Sequence, residues 1–206
     1  MNDVLKLQDR ELDALREVAN IGAGHAATAL SQLTGRRIMI DVPNVHVSRL
    51  EQAPQAFGDA EEVVAAVLMH FLGDLTGRTL LLFDRDGACR LADLLLSRPV
   101  GETRAFGEME QSSIKETANI LTGAYMNALS DFLGMMLLPS VPSMAVDLAG
   151  AILSSTYLNF GKDRDFVICL DTRFHFSETG ATLVGHFMMI PDAASLSIIL
   201  KAIRLG

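Results

Sequence analysis

The strongest constraint on the fold of this chain is a polar pattern that occurs twice, 99 positions apart. Its members are an acidic or hydroxyl residue, a glutamate, an asparagine and a glycine, namely Asp13, Glu17, Asn20 and Gly24, then Ser112, Glu116, Asn119 and Gly123. Steps of four, three and four residues return to the same face of an α-helix, so each copy predicts one polar stripe. A repeated stripe predicts that the structural unit around it is repeated too.

The duplication extends beyond the stripes. At the same offset, residues 41–45 align with residues 140–144, and both segments contain a Val-Pro pair. Residues 75–82 resemble residues 183–190 at an offset of 108, so the second half carries extra residues between these landmarks. We therefore expect one domain, 1–206, made of two fused repeats at approximately 7–97 and 106–206. Residues 97–106 would link them.

Each half has the same predicted order of elements. A long helix (Asp9–Thr34 or Glu108–Leu133) is followed by a short strand (37–41 or 135–138) and a proline turn. A hairpin comes next (63–71 with 78–83, or 166–176 with 182–190), and a second helix closes the half (87–96 or 193–203). Asp9 is the expected N-cap of the first long helix, and Gly35 and Gly134 are the expected ends of the two. An amphipathic stretch at 143–155 predicts a short extra helix that the first half lacks.

This order predicts a fold with both helices and a sheet, which is α/β in the broad sense and α+β in the strict sense. Hairpins without crossover helices favour antiparallel pairing, and one apolar helix per half can cover a sheet face. The expected architecture is a duplicated helix-plus-antiparallel-sheet unit with pseudo-two-fold symmetry.

Composition excludes several classes of function. A formal net charge of −8 argues against binding the phosphate backbone of nucleic acids. The apolar runs are too short to span a membrane, and the first residues do not resemble a secretory signal, so we expect a cytoplasmic protein. The isolated cysteines Cys89 and Cys169 suit buried free thiols, and no histidine spacing predicts a metal site.

The stripes have ordinary explanations that must be weighed. A helix with one apolar face exposes polar residues on the other, and Ser113 with Glu116 fits a capping box. Yet Ala14, at the position equivalent to Ser113, cannot cap, although Glu17 is still present. Asn is also a poor choice for a merely solvated helix position. Gly22, Gly24 and Gly123 cost helix stability, which would make sense where another backbone or a partner approaches.

The sequence offers no self-sufficient catalytic apparatus. It contains no Ser/His/Asp or Cys/His set that predicts a nucleophile, and no phosphate-binding loop of the GxxxxGK type. The GxG at Gly22 and Gly24 lacks the third glycine and the preceding strand of a dinucleotide site. A carboxylate beside a carboxamide can instead anchor a cation and orient a water molecule.

These features together resemble the CheC family of chemotaxis phosphatases. The resemblance rests on both stripes, on the segments 20–30 and 42–45, and on the pattern of glycine, tyrosine, alanine and leucine at 123–134. It covers almost the whole chain and fits the short, two-site CheC form.

The resemblance implies a phosphatase that acts on the aspartyl phosphate of the response regulator CheY. It implies that Glu17 and Glu116 engage a lysine of the regulator's active site, and that Asn20 and Asn119 reach the phosphate and position water. Asp13 and Ser112 would be supporting residues. The enzyme would need no cofactor of its own, because the Mg²⁺ belongs to the regulator.

The resemblance further implies binding to CheD, a receptor deamidase. We place that docking site in the 143–155 segment, including Asp147, because the segment breaks the internal symmetry; the alternative is that it forms an ordinary packed helix. One alternative is a non-catalytic adaptor of CheD or CheY, although two intact Glu/Asn pairs count against it. Another is a flagellar switch component, but this would need an additional carboxy-terminal domain that we do not expect here.

Overall fold

The computed structural model describes residues 8–49, 59–158 and 166–205, so the predicted repeat ends at residues 7 and 206 lie outside the described residues. The helices in these ranges are α1 Asp9–Thr34, α2 Arg85–Leu95, α3 Glu108–Leu133, α4 Ala149–Leu158 and α5 Ala193–Leu205. The strands are β1 Ile38–Arg49, β2 Val63–Gly73, β3 Gly77–Asp84, β4 Leu137–Pro139, β5 Ser143–Leu148, β6 Phe166–Phe176 and β7 Ala181–Pro191.

The strands form one antiparallel sheet whose connectivity is symmetric. Its order is β1-β6-β7-β3-β2-β4, and β5 also pairs with β2. If the two halves of the chain are exchanged, the pairing of β1 with β6 corresponds to the pairing of β4 and β5 with β2. The pairing of β6 with β7 corresponds to the pairing of β2 with β3. The β3–β7 pairing maps onto itself. The predicted antiparallel sheet with pseudo-two-fold symmetry is therefore confirmed. In each half, the strand segment that follows the long helix pairs with the hairpin of the other half.

The largest error of the sequence prediction concerns residues 143–155. They do not form one extra helix, because residues 143–148 are the strand β5, which pairs with β2, and only then does α4 begin. At the offset of 99, β4 and β5 match the two ends of β1, so this strand does have a counterpart in the first half. The unpaired backbone groups of β2 offer hydrogen bonds that override the helix propensity of Ala, Met and Leu.

The predicted proline turn is wrong in the first half and right in the second. Strand β1 continues through Pro43, and its register with β6 shifts between Asp41 and Asn44. In the second half the strand stops at Pro139 and resumes at Ser143. A proline cannot donate to the ladder, so it is tolerated at an irregularity or in a break.

Both long helices have the predicted bounds, although the first cap is different. The N-cap of α1 is Gln8 and not Asp9, because the Gln8 N–H donates to the Glu11 carboxylate at 2.6 Å and so fixes the turn one residue earlier. Gly35 and Gly134 end the helices with φ of 66° and 65°, in the left-handed region that favours glycine. The predicted hairpins and closing helices are also confirmed, within two residues at most ends.

The main core lies between one face of the sheet and the helices α1, α2, α3 and α5. A smaller core on the other face lies under α4 and includes Cys169. Helices α1 and α3 pack directly against each other, and Gly22 of α1 permits this. A Cβ atom on Gly22 would come within 2.6 Å of Tyr125 Cδ1 and 3.1 Å of the Ala124 carbonyl oxygen. The chain therefore needs a glycine at this helix crossing.

A buried carboxylate fastens the link between the two halves. Asp93 of α2 is fully buried and accepts hydrogen bonds from Gly101 N at 2.7 Å and Thr103 N at 2.9 Å. Burial alone would raise the pKa of Asp93, but hydrogen bonds from Thr103 and Gly101 outweigh it and lower this pKa below its usual value. The ionised carboxylate therefore stabilises the fold.

We expect this contribution to be lost in acid. A folded-state pKa below the unfolded value gives stability that is present above the unfolded pKa and disappears as the pH falls through the folded pKa. Denaturant unfolding followed between neutral pH and about pH 3 should show a smaller acid loss for Asp93→Asn than for the wild type, on top of a lower stability at neutral pH. An unchanged acid slope in Asp93→Asn would contradict this account of the link.

Candidate functional site

The two stripes lie on the outward faces of α1 and α3. The buried face of α1 carries Leu15, Val18, Ala19, Gly22, Ala23, Ala26 and Leu30. The opposite face of α1 exposes Asp13, Glu17, Asn20 and Gly24. On α3, Ser112 and Glu116 are exposed, while Asn119 and Gly123 are partly buried. Within the described ranges no hydrogen bond or ion pair joins one stripe to the other. The structure therefore presents two stripes of similar composition, one on each long helix.

The stripe glutamates are free to meet a partner. Among the described residues, neither Glu17 nor Glu116 has an ion-pair or hydrogen-bond partner for its exposed carboxylate. Asp13 differs, because its Oδ1 pairs with Arg16 Nη1 at 3.0 Å on the same helix. Ser112 is exposed. The two supporting positions of the stripes are thus unequal.

The two asparagines differ more strongly. The Asn20 Oδ1 atom accepts a hydrogen bond from Val42 N at 3.0 Å, which holds the carboxamide against the irregular part of β1. The residue equivalent to Val42 is Val141, which is 86% exposed because the strand is broken there. In the part of the chain that the structure describes, the Asn119 carboxamide makes no hydrogen bond. The sequence repeat gave no sign of this difference.

The structure rejects the helix-cap explanation of Glu116. Helix α3 begins at Glu108 after the N-cap Gly107, so Ser113 lies inside the helix. Its hydroxyl donates to the Glu110 carbonyl oxygen at 2.8 Å. Glu116 therefore does not serve to start the helix.

The glycines of the stripes divide into two kinds. Gly22 is needed inside the protein, where it faces Tyr125. A Cβ atom on Gly24 or Gly123 would meet nothing within 4 Å. The close approach predicted for these three glycines is thus internal at Gly22, while the surface at Gly24 and Gly123 is open.

Asp147 lies on the edge strand β5, two residues before α4 begins. It is exposed, and its Oδ1 accepts a hydrogen bond from the neighbouring Leu148 N at 2.8 Å. Val146 and Leu148 beside it are each 41% exposed, so the acid stands among exposed apolar side chains. This edge is a different surface from the two helix stripes.

One exposed residue of the first stripe was missed in the sequence. Ile21 follows Asn20, lies four residues after Glu17, and is 46% exposed on the outward face of α1. A β-branched apolar residue at a solvent-facing helix position departs from the apolar periodicity. That departure was the available signal.

The cysteines are not exposed nucleophiles, and the described residues contain no metal cluster. Both cysteines are buried and free, and burial, with Asp171 nearby, raises the pKa of Cys169 to about 12. In the described ranges there is no group of three or more His, Cys, Asp or Glu side chains that could hold a metal ion. Nor is any described helix both long and apolar enough to cross a membrane.

Comparison with known proteins decides the family. The model of the CheC-like family matches residues 11–47 and 109–145, which contain the two stripes. The CheY-P phosphatase CheC of Bacillus subtilis is 32% identical over 199 residues, which cover 96% of this chain and 95% of that protein. The chain belongs to the CheC-like family. The enzyme class predicted from the sequence, a phosphatase, is confirmed at the level of this family.

Other relatives agree on the family and on the fold. A putative CheY-P phosphatase CheC1 of Halobacterium salinarum is 25% identical, over 94% of this CheC-like chain and 96% of its own. The crystal structure of Thermotoga maritima FliY superposes with a TM-score of 0.77 at 22% identity and covers 97% of this chain and 98% of that one. At that identity FliY supports the fold alone.

Proposed function

We propose that this CheC-like protein hydrolyses the aspartyl phosphate of a CheY-type response regulator, with both helix stripes as docking and catalytic surfaces. The observation that carries the proposal is a Glu/Asn pair on each long helix, with both glutamates and Asn20 exposed and Asn119 partly buried, inside the two segments that match the family. The relatives named as CheY-P phosphatases supply the substrate class. Such a partner would place the protein in the cytoplasm.

In this proposal each glutamate is an anchor. Glu17 or Glu116 would pair with a lysine ammonium of the regulator, and a charge-assisted hydrogen bond of this kind would fix the helix over the phosphorylated aspartate. The exposed carboxylates lack a competing cation among the described residues. Asp13 and Ser112, one turn before, would adjust the contact.

Each asparagine would position the attacking water. A carboxamide oxygen can accept a hydrogen bond from water and so direct a lone pair of the water oxygen at phosphorus, in line with the bond to the aspartate oxygen. An acyl phosphate is already a reactive species, so orientation of the nucleophile can supply much of the acceleration. The Mg²⁺ that neutralises the phosphoryl oxygens would be held by the regulator and not by this chain.

The direct test mixes the protein with a phosphorylated CheY-type regulator and Mg²⁺ and follows phosphate release. We expect a substoichiometric amount of protein to shorten the lifetime of the phosphorylated regulator. The change Glu17→Gln made in Asn119→Ala, and the change Glu116→Gln made in Asn20→Ala, should each raise KM for the regulator, because they remove the charge of the anchor and keep its shape. No effect of the wild-type protein on the lifetime would refute the proposal.

We also propose that the β5 edge around Asp147 binds CheD. Its support is the exposed carboxylate between two exposed apolar side chains at a sheet edge, a composition suited to a protein partner. Reversing the charge in Asp147→Lys is expected to weaken CheD binding by about tenfold or more and to spare phosphate release. The matched control is Glu178→Lys in the exposed β6–β7 turn, and calorimetry measures the CheD affinity of both variants. Equal CheD affinity for the wild type and Asp147→Lys would contradict this assignment.

A further inference from the structure

The two stripes differ in the side chains that could contact a partner. One difference favours binding at the first stripe, and the other favours turnover at the second. We infer that Ile21 gives the first stripe the tighter grip on the receiver domain of the phosphorylated regulator, whereas the second stripe turns it over faster. The inference rests on the proposed phosphatase function. It adds Ile21 as a docking residue and assigns different kinetic roles to the two surfaces.

Ile21 is placed at the centre of the first stripe. Glu17, Asn20, Ile21 and Gly24 occupy positions i, i+3, i+4 and i+7, which share one face of a helix. All four are exposed. An apolar side chain surrounded by polar ones is the arrangement in which a contact excludes water on docking and dominates the binding energy.

Gly24 allows the partner to come close to Ile21. A Cβ atom at Gly24 would have no neighbour within 4 Å, so the surface beside Ile21 is open down to the helix backbone. A receiver domain that packs there can cover the exposed part of the Ile21 side chain. Burying that surface is expected to tighten binding by about tenfold.

The second stripe lacks an equivalent contact. Ile120 occupies the same position after Asn119, but it is partly buried and packs against the main core. Its apolar surface is therefore largely committed inside the protein. The second stripe must bind the regulator mainly through its polar groups.

The asparagines favour the second stripe for turnover. The Asn20 oxygen already accepts the Val42 N–H, which fixes the plane of its carboxamide, while the Asn119 carboxamide has no hydrogen bond among the described residues that would oppose its rotation. The first stripe is consequently expected to show the lower KM and the second the higher kcat.

Variants with one working stripe separate these parameters. Asn119→Ala leaves only the first stripe, and Asn20→Ala leaves only the second. With a CheY-type regulator phosphorylated by acetyl phosphate as the probe, we expect Asn119→Ala to show a KM about tenfold below that of Asn20→Ala, and a lower kcat. Circular dichroism checks that both variants are folded.

Ile21 is then tested in the variant that depends on it. Adding Ile21→Ser to Asn119→Ala should raise KM about tenfold at unchanged kcat, whereas Ile21→Val should restore most of the affinity. Leu33→Ser is the matched control, because Leu33 is an exposed apolar residue of α1, 59% exposed and outside the stripe. It should leave KM unchanged.

The outcomes distinguish the inference from the function on which it rests. If the wild type releases no phosphate, the proposed function fails. If the wild type is active but both single-stripe variants have the same KM, or Ile21→Ser behaves like Leu33→Ser, the function stands and the inference is overturned.

Discussion

Replacing Asn119 with alanine is expected to remove most of the phosphatase activity at saturating regulator, whereas replacing Asn20 should remove only a small part. The Asn20 carboxamide cannot turn toward a water molecule without breaking the hydrogen bond between its oxygen and the buried Val42 N–H. Leaving a buried N–H unpaired costs about 1–3 kcal/mol, which corresponds to at least a fivefold loss of rate at the first stripe. Asn119 makes no such bond in the described structure.

The double variant should show almost no catalysis. Misplacing the attacking water is expected to cost about 100-fold in rate at each stripe, so the regulator should keep its intrinsic phosphate lifetime. Phosphate release under single-turnover and steady-state conditions measures all three variants. Equal losses in the two single variants would contradict the difference that we draw between Asn20 and Asn119.

Stability measurements give a separate check on the same asymmetry. Asn20→Ala should lower the free energy of unfolding by about 1–3 kcal/mol, because Val42 N–H loses its acceptor. Asn119→Ala should be close to neutral in the same denaturant titration. The two changes are chemically identical and lie at equivalent positions, so each serves as the control for the other.

Gly22 is expected to be the most sensitive position of the first helix. Gly22→Ala places a methyl group against the Cδ1 and Cα atoms of Tyr125, at 2.6 and 3.0 Å, and the backbone part of that contact cannot rotate away. We expect a loss of about 1–3 kcal/mol in the free energy of unfolding from overpacking. A larger side chain such as valine should prevent the normal α1–α3 packing.

Gly24→Ala is the matched control two residues away. It meets nothing within 4 Å, so it should stabilise the isolated protein by up to about 1 kcal/mol through helix propensity. In the same variant we expect weaker binding of the regulator, because the added methyl group keeps the partner further from Ile21. Urea unfolding of both variants measures the contrast, and equal effects of the two substitutions would refute the assignment of Gly22 to the helix crossing.

Much of this fold could be predicted because its local signals agree. The apolar periodicity of α1 and α3 and the glycines at their ends defined both helices, and alternating β-rich segments defined both hairpins. The repeat at an offset of 99 then predicted the symmetry of the sheet. Local propensity and global architecture point the same way at these positions.

The errors arise where tertiary contacts decide. Residues 143–148 have the composition of a helix, but the edge of β2 makes them a strand. Pro43 predicts a turn, yet β1 passes it with a shift in register. That irregularity gives Val42 N–H a partner in Asn20, so two identical stripe patterns acquire different environments. A sequence repeat shows which residues are equivalent but not which of their backbone neighbours are already bonded.

The most direct test of the account is the lifetime of a phosphorylated CheY-type regulator in the presence of the wild-type protein and of the Asn20→Ala, Asn119→Ala double variant. We predict that the wild type shortens the lifetime at substoichiometric concentration and that the folded double variant leaves it at its intrinsic value. A wild-type protein without effect, or a double variant as active as the wild type, would contradict the claim that the two helix stripes carry out the dephosphorylation.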